Sequence, residues 1–235
     1  MKTSMPWRPR LAIAQLVAIL AFVNLVLPLL AQSAGAAGDA PLIRIVAYGD
    51  SLTASYGLPR SASFPVQLAK ALEGRNLKVE VVNAGVSGDT TAAGLERFDW
   101  AVPEKTDVVI LELGANDALR GMDPRQARAN LEAIITKLKA RGIDVLLAGM
   151  AAPRSLGEAY VAEFDRIYPE LASKHGVSLY PFFLDGVATH HELNLDDGLH
   201  PNAKGIVIIV ERMLPKIVEL INRRYVGTFG FPTKY

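Results

Sequence analysis

Five short apolar runs, separated by segments with helical periodicity, constrain the fold of this chain more than any other feature. The runs have the length of buried strands, and the intervening segments place apolar residues three and four positions apart, which is typical of helices packed on a core. The predicted strands are Leu42–Tyr48, Lys78–Val82, Asp107–Leu113, Asp144–Met150 and Val177–Tyr180. The predicted helices are Phe64–Glu73, Asp89–Phe98 with Asp89 as its cap, Pro124–Arg141, Glu158–Lys174 with a kink or break at Pro169, and Ala203–Asn222.

This alternation predicts the fold class. Strands that alternate with helices form parallel βαβ units, and right-handed crossovers place the helices on both faces of the sheet. We therefore predict an α/β fold, a three-layer α/β/α sandwich around a parallel five-stranded sheet. Hydrophobic residues make up 50% of the 235 residues, which suits one domain with an ample core, at residues 42–224. Residues 225–235 carry no clear pattern and are predicted to form a C-terminal tail.

Residues 1–36 have the organisation of a secretory signal peptide. Basic residues without any acidic one precede the apolar run Leu11–Leu30, and Ala34-Gly35-Ala36 then fits an A-x-A cleavage site. An uncleaved anchor is the alternative, since about twenty apolar residues can span a bilayer, but helix-breaking Pro28 and the small residues favour cleavage. The chain has no cysteine, so it has no disulfides and no lipid-modified cysteine. We predict an exported domain, periplasmic or secreted, with no stable membrane span after cleavage.

Polar residues interrupt the apolar pattern in four segments. These are Gly49–Leu52, Asn83–Asp89, Gly114–Asp117 and Asp196–Pro201. The first three follow predicted strands directly, and the fourth precedes the last predicted helix. Because the carboxyl ends of parallel strands share the edge of the sheet where ligands bind, we expect Ser51, Gly88 and Asn116 to converge there.

The residue types in these segments suit acyl transfer. A serine hydroxyl becomes a strong nucleophile only when a base accepts its proton, and His200 is the best candidate base for Ser51. Asp197 precedes His200 by three residues, across a glycine turn, and can fix the tautomer of the imidazole. The Ser51 N–H, the Gly88 N–H and the Asn116 amide are suitable oxyanion-hole donors, each worth roughly 3–4 kcal/mol in the transition state. We therefore predict Ser51, Asp197 and His200 as catalytic residues.

The same four segments resemble a known family. In order and in residue type they are similar to the four sequence blocks of SGNH hydrolases, also called the GDSL esterase/lipase family. The resemblance implies that Ser51 is the nucleophile, that Gly88 and Asn116 complete the oxyanion hole with the Ser51 N–H, and that Asp197 and His200 are the acid and the base. It also implies a flavodoxin-like sandwich and neither a metal nor an organic cofactor.

Within this family the chain is most similar to the bacterial periplasmic branch of acyl-CoA thioesterases, arylesterases and lysophospholipases. The segments that carry this closer similarity are Asn83–Gly94, Leu111–Gly121, Tyr180–Phe183 and Asp196–Asn202. Ala115 departs from the branch, which often has a second glycine there, and Met150–Tyr160 differs in composition from the branch's substrate-facing loop. The acyl-chain preference therefore stays open. The candidate residues for the acyl-binding wall are Tyr56, Leu119, Met122 and Leu156.

The predicted function is that of a serine acyl hydrolase, which cleaves carboxylic esters or thioesters through an acyl-enzyme on Ser51. A small acyl ester or thioester, or a lysophospholipid, suits such an enzyme. A carbohydrate O-acetyl esterase of the same family and a non-catalytic binding module of the same fold are the alternatives. Without residues 1–36, 22 basic and 24 acidic residues leave a net charge of −2, so no nucleic-acid partner is expected.

A metal site is a further alternative, because the segment before the last helix is rich in ligand residue types. These residues are His190, His191, Glu192, Asp196, Asp197 and His200. Their spacing does not form an H-E-x-x-H motif, and adjacent histidines on a regular element point in different directions. Surface histidines beside an acidic turn are the preferred interpretation, so no metal is predicted.

Overall fold

The computed structural model describes residues 41–229, and its centre is a sheet of five parallel strands. The strands are β1 (Ile43–Gly49), β2 (Val79–Gly85), β3 (Val108–Glu112), β4 (Asp144–Ala148) and β5 (Ser178–Tyr180). Their order across the sheet is β2-β1-β3-β4-β5, so the neighbours of β1 are the two strands that follow it in the chain. Such a switch in strand order leaves a crevice at the carboxyl end of β1, which is where ligands bind in open α/β sheets.

Helices form the two outer layers of the sandwich. They are α1 (Ser51–Ala54), α2 (Phe64–Glu73), α3 (Thr91–Ala101), α4 (Ala115–Leu119), α5 (Pro124–Ala140), α6 (Glu158–Asp165), α7 (Ile167–His175) and α8 (Ala203–Phe229). Helices α2 and α8 pack against each other in one layer, and α5 packs against both α3 and α7 in the other. This is the predicted three-layer α/β/α sandwich. The predicted signal peptide, residues 1–36, and residues 230–235 of the predicted tail lie outside the described residues.

The core lies on both faces of the sheet, as the continuous apolar runs require. Every residue of β3 is buried, and β1 is buried except at Arg44. Strand β2 is at the edge and is only partly covered. The largest buried side chains include Phe64 and Phe183, whose rings meet edge-on with centroids 5.2 Å apart.

Strand β2 continues three residues beyond its predicted end at Val82. It pairs with β1 over the whole of both strands, from Ile43 opposite Val79 to Gly49 opposite Gly85. Asn83 and Gly85 are therefore strand residues, where the sequence predicts a loop. The continued pairing with β1 is the physical reason, because it provides hydrogen-bond partners for the backbone of a segment that is itself polar.

The cap of α3 is Thr90, not the predicted Asp89. The Thr90 hydroxyl accepts a hydrogen bond from the Ala93 N–H at 3.3 Å, and the helix begins at Thr91. The Asp89 carboxylate forms an ion pair with Arg97 instead. Both residue types favour the N-cap position, so sequence alone does not separate two adjacent candidates.

The helix predicted over residues 158–174 is divided in two, as Pro169 suggests. Helix α6 ends at Asp165 and α7 begins at Ile167, with Pro169 in its first turn. A proline has no N–H for the carbonyl four residues earlier and clashes with that carbonyl, so the break falls at Asp165. The last helix continues to Phe229, seven residues beyond the predicted end at Asn222, so the first part of the predicted tail is helical.

Candidate active site

Ser51 lies at the carboxyl end of β1, in a tight transition from strand to helix. Gly49 ends the strand and Ser51 is the first residue of α1. A side chain at Gly49 would collide with the Thr53 hydroxyl, because a Cβ atom on this backbone would overlap Oγ1. Asp50 caps the helix by accepting a hydrogen bond from the Leu52 N–H at 3.0 Å. The close packing at Gly49 and the Asp50 cap thus hold Ser51 at the crevice that the strand order creates.

The structure brings Ser51, His200 and Asp197 together in one hydrogen-bonded series. His200 Nε2 lies 2.9 Å from Ser51 Oγ, and His200 Nδ1 lies 2.7 Å from Asp197 Oδ2. The two nitrogens of the ring therefore contact different partners. A ring that donates from Nδ1 to the carboxylate has a free lone pair on Nε2, which can accept the serine proton.

The turn that holds Asp197 also sets its charge. The second oxygen of its carboxylate accepts the main-chain N–H groups of Leu199 and His200, at 2.8 and 3.0 Å. Gly198, which lies between Asp197 and Leu199, has a φ of +69°, which the turn requires and which glycine adopts without strain. These two backbone hydrogen bonds, followed by that from the His200 side chain, lower the pKa of Asp197 to about 2. The residue is therefore a carboxylate at neutral pH.

The three predicted oxyanion donors surround the same crevice. Asn116 is in the first turn of α4, directly after β3, and its Nδ2 lies 3.0 Å from the carbonyl oxygen of Asp89, the neighbour of Gly88. Gly88 has a φ of +87°, which places its N–H in a conformation that other residues rarely adopt. Within residues 41–229, neither the Ser51 N–H nor the Gly88 N–H donates to a protein acceptor, so both remain available to a ligand.

A buried ion pair that the sequence analysis missed holds these segments together. Arg97 of α3 donates to the Asp89 carboxylate and, at 2.8 Å, to the carbonyl oxygen of Gly49. The Arg97 side chain is 8% exposed, and its guanidinium carbon lies 4.3 Å from the centroid of the Tyr48 ring. One side chain therefore joins the end of β1 to the loop that contains Gly88. Spacing in the sequence does not reveal this pair, since Arg97 falls at an ordinary position of a predicted helix.

Two buried carboxyl groups lie directly behind Ser51. Asp50 and Glu112 are both 0% exposed, and the Asp50 N–H donates to Glu112 Oε2 at 3.3 Å. Burial raises the pKa of Glu112 well above its usual range, and the charge of Asp50 raises it further. Burial also raises the pKa of Asp50 to about 6, against hydrogen bonds from Leu52 and Asn116 that lower it. A single acidic residue inside the apolar run of β3 was the available sequence signal for Glu112.

A cleft of about 710 Å³ opens beside the Ser51 hydroxyl. Its lining is mostly apolar and includes Leu119 from the predicted acyl-binding wall, together with Met150, Pro153 and Phe182. The other three residues of that predicted wall, Tyr56, Met122 and Leu156, are not among the residues that line it. The Tyr56 ring lies against the His200 imidazole, with centroids 4.7 Å apart.

The predicted ligand-rich segment does not assemble into a metal site in the part of the chain that the structure describes. No group of three or more histidine, cysteine, aspartate or glutamate side chains there is placed to hold an ion. His190 Nδ1 is 3.6 Å from Glu192, whereas His200 and Asp197 contact each other. The expectation that no metal is needed stays a prediction.

A parallel α/β sandwich with a serine, a histidine and an aspartate in hydrogen-bonded series at the carboxyl end of a strand has the arrangement of a serine acyl hydrolase. Comparison with known families agrees: the profile of the GDSL-like lipase/acylhydrolase family matches residues 47–206. The chain belongs to this family.

Named relatives and solved structures support the same class. The chain is 39% identical to an arylesterase of Vibrio mimicus over 75% of this chain and 88% of that protein. It is 37% identical to thioesterase 1/protease 1/lysophospholipase L1 of Escherichia coli K12, over 80% and 87% of the two chains. The crystal structure of AlinE4, an SGNH-hydrolase family esterase, is 44% identical with a TM-score of 0.66, over 77% and 98%. The predicted family, fold class and ester or thioester hydrolase activity are confirmed.

No helix within residues 41–229 combines the length and the apolar character needed to cross a membrane.

Proposed function

We propose that this hydrolase works by two-step acyl transfer, with Ser51 as nucleophile, His200 as general base and acid, and Asp197 as the partner of the imidazole. The observation that carries the proposal is the unbroken series of contacts from Ser51 Oγ through the His200 ring to the Asp197 carboxylate, at 2.9 and 2.7 Å. These distances are within hydrogen-bond range, so proton transfer needs no rearrangement of the three side chains.

In the first step Ser51 Oγ attacks the acyl carbonyl while His200 Nε2 accepts the hydroxyl proton. The imidazolium that forms is stabilised by Asp197, whose lowered pKa keeps it ionised. His200 then returns the proton to the leaving alcohol or thiol, which leaves an acyl group on Ser51. In the second step His200 accepts a proton from water, the hydroxide attacks the acyl-enzyme, and the proton returns to Ser51.

The oxyanion of each tetrahedral intermediate is held by the Ser51 N–H, the Gly88 N–H and the Asn116 amide. The two backbone donors have no protein acceptor within residues 41–229, which supports this role. Donors already oriented toward the developing charge stabilise it without further reorganisation, and the loss of one such donor costs about 10²- to 10³-fold in kcat.

The substrate is an acyl ester or thioester with an apolar acyl chain. The mostly apolar lining of the 710 Å³ cleft supports an acyl chain over a sugar, which would need hydrogen-bonding partners along the wall. Aryl esters, acyl thioesters and lysophospholipids share such a chain and differ in the leaving group.

A fluorophosphonate that carries an alkyl chain tests the nucleophile directly. It should add to a single residue, and mass spectrometry of the digested protein should locate the adduct on Ser51. The His200→Ala variant should react far more slowly, because the base is absent, whereas Ser155→Ala, which removes an exposed hydroxyl, should react like the wild type. Labelling at any other residue would contradict the proposal.

We also propose that residues 1–36 direct the domain to the periplasm or the medium and are then removed. The basic start, the apolar run and the A-x-A site support export. Mass spectrometry of the protein purified from its natural host should find an N-terminus close to Ala37, in a soluble fraction outside the cytoplasm. Recovery of the full-length chain in the membrane fraction would support the uncleaved anchor instead.

A further inference from the structure

The side chains of Asp50 and Glu112 are neighbours beneath the candidate active site: the Asp50 N–H donates to Glu112 Oε2, and the Asp50 charge acts on the Glu112 carboxyl. Both residues are fully buried, and neither carboxyl forms an ion pair with a lysine or arginine in the described part of the chain. The buried guanidinium of Arg97 is committed to Asp89 and to the Gly49 carbonyl. Two buried carboxylates side by side repel each other and lose their hydration, so both cannot be ionised at once.

The hydrogen bonds around the pair indicate which member holds the proton. Glu112 Oε2 accepts from the Thr53 hydroxyl at 2.8 Å and from the Asp50 N–H, but Oε1 is buried and has no partner among the described residues. Asp50 uses both oxygens, accepting from the Leu52 N–H at 3.0 Å and from Asn116 Nδ2 at 3.1 Å. A carboxylate is stabilised by donors to each oxygen, so Asp50 is the ionised member and Glu112 the neutral one.

The Asp50 carboxylate also decides which way the Asn116 amide faces. Nδ2 of Asn116 lies between Asp50 Oδ2 and the Asp89 carbonyl oxygen, both of which can only accept. An amide oxygen in that position would face two acceptors, so only the NH₂ end fits. Asp50 precedes Ser51 and Asp89 follows Gly88, so the NH₂ group is held between the segments that carry the other two oxyanion donors.

We propose that Asp50 and Glu112 hold one proton between them, carried by Glu112, and that the ionised Asp50 is a positioning residue for the Asn116 amide. Asp50 holds one N–H of that amide, and the second N–H, which donates to the Asp89 carbonyl, is the one that turns to the oxyanion. This inference rests on the proposed function of the site. Glu112 supports Asp50 by remaining neutral, because an ionised Glu112 would leave the one proton on Asp50, and a protonated Asp50 is a weaker acceptor for the Asn116 amide.

The Asp50→Asn variant tests the positioning role. Asparagine keeps the size of the side chain and can still cap α1 through its one oxygen, but its NH₂ group then faces the NH₂ group of Asn116. We expect kcat to fall about 10²-fold, close to the loss of one oxyanion donor, and KM for a short p-nitrophenyl ester to change less than about threefold. An unchanged kcat in the folded variant would overturn the role of Asp50.

A double-mutant cycle separates action through Asn116 from a direct effect on Ser51. In the Asn116→Ala background, Asp50→Asn should lower kcat by less than about threefold, because the amide that Asp50 orients is already gone. If Asp50→Asn costs the same factor in both backgrounds, Asp50 does not act through Asn116 and the proposal is wrong.

The placement of the proton has a spectroscopic test that does not depend on activity. In the wild type at neutral pH, the infrared spectrum should contain the carbonyl stretch of a protonated carboxylic acid, and this band should vanish in Glu112→Gln. Glutamine imitates the neutral acid, since it carries no charge and its oxygen can accept from the Thr53 hydroxyl and the Asp50 N–H, so kcat should fall far less than in Asp50→Asn. Absence of the band, or a loss of kcat in Glu112→Gln equal to that in Asp50→Asn, would overturn the assignment of the proton to Glu112. Failure of Ser51→Ala to lose activity would overturn the proposed function while leaving the band in place.

Discussion

His200 Nε2 lies 2.9 Å from Ser51 Oγ, although 149 positions separate the two residues in the chain. Ser51 is at the carboxyl end of β1, and His200 is in the loop just before α8, the helix that packs against α2. The fold of the sandwich therefore places the loop before the last helix next to the end of the first strand. Each side chain is set by its own turn, so the contact depends on the fold as a whole.

Asp197→Asn should lower kcat by about 10²- to 10⁴-fold with little change in KM, because the amide neither fixes the imidazole tautomer nor stabilises the imidazolium. Asp196→Asn is the matched control, since this neighbouring acid is exposed and should leave kcat within about twofold. Steady-state hydrolysis of a p-nitrophenyl ester measures both variants. Equal kcat values for the two would show that the Asp197–His200 contact has no catalytic role.

The stability of the protein should depend on Asp197 in a pH range set by its pKa. This pKa is about 2 in the folded protein and about 3.9 in an unfolded chain. A group with a lowered folded pKa stabilises the fold above the unfolded value, and the stabilisation is lost as the pH falls toward the folded value. The Tm difference between wild type and Asp197→Asn should therefore be constant above about pH 5 and shrink between about pH 4 and pH 2. Calorimetry that finds the same difference throughout would contradict this.

Arg97→Met should lower the free energy of unfolding by about 3 kcal/mol, because it leaves the Asp89 charge and the Gly49 carbonyl without their buried partner. Arg125→Met is the control, since Arg125 is 78% exposed in its pair with Asp123 and should cost less than about 1 kcal/mol. Urea denaturation measures both. Similar losses in the two variants would mean that the Arg97 pair is not a structural anchor.

Leu119→Asp should reduce kcat/KM for p-nitrophenyl octanoate by about tenfold or more, and that for the acetate by much less, because Leu119 lines the cleft and a longer chain loses more apolar contact. Leu42→Asp, at the opposite end of the sheet, should leave the chain-length profile unchanged. A uniform loss across all chain lengths would place the acyl chain elsewhere.

Much of this architecture is predictable from the sequence, because it follows from local pattern. Apolar runs identified all five strands, and the rule that parallel strands end at one edge predicted that segments around Ser51 and Asn116 would meet. The Asp197–His200 contact follows from a three-residue spacing across a glycine. In each case the information lies within a few residues.

What the sequence could not predict depends on contacts between distant segments. The contact of Arg97 with the Gly49 carbonyl, the extension of β2 to Gly85 and the placement of Glu112 behind Asp50 all need the packed sheet before they exist. The assignment of Asp89 as a helix cap was wrong for a different reason: aspartate and threonine both favour that position, and Thr90 caps the helix while the Asp89 carboxylate pairs with Arg97.

The most direct test of the account is hydrolysis of p-nitrophenyl butyrate in excess EDTA by the wild type and by Ser51→Ala, with circular dichroism to show that both are folded. Ser155→Ala serves as the control for loss of a hydroxyl. We predict full wild-type and Ser155→Ala activity in chelator and a fall of about 10⁴-fold or more in Ser51→Ala. Turnover by folded Ser51→Ala, or loss of wild-type activity on chelation, would contradict a metal-free mechanism with Ser51 as the nucleophile.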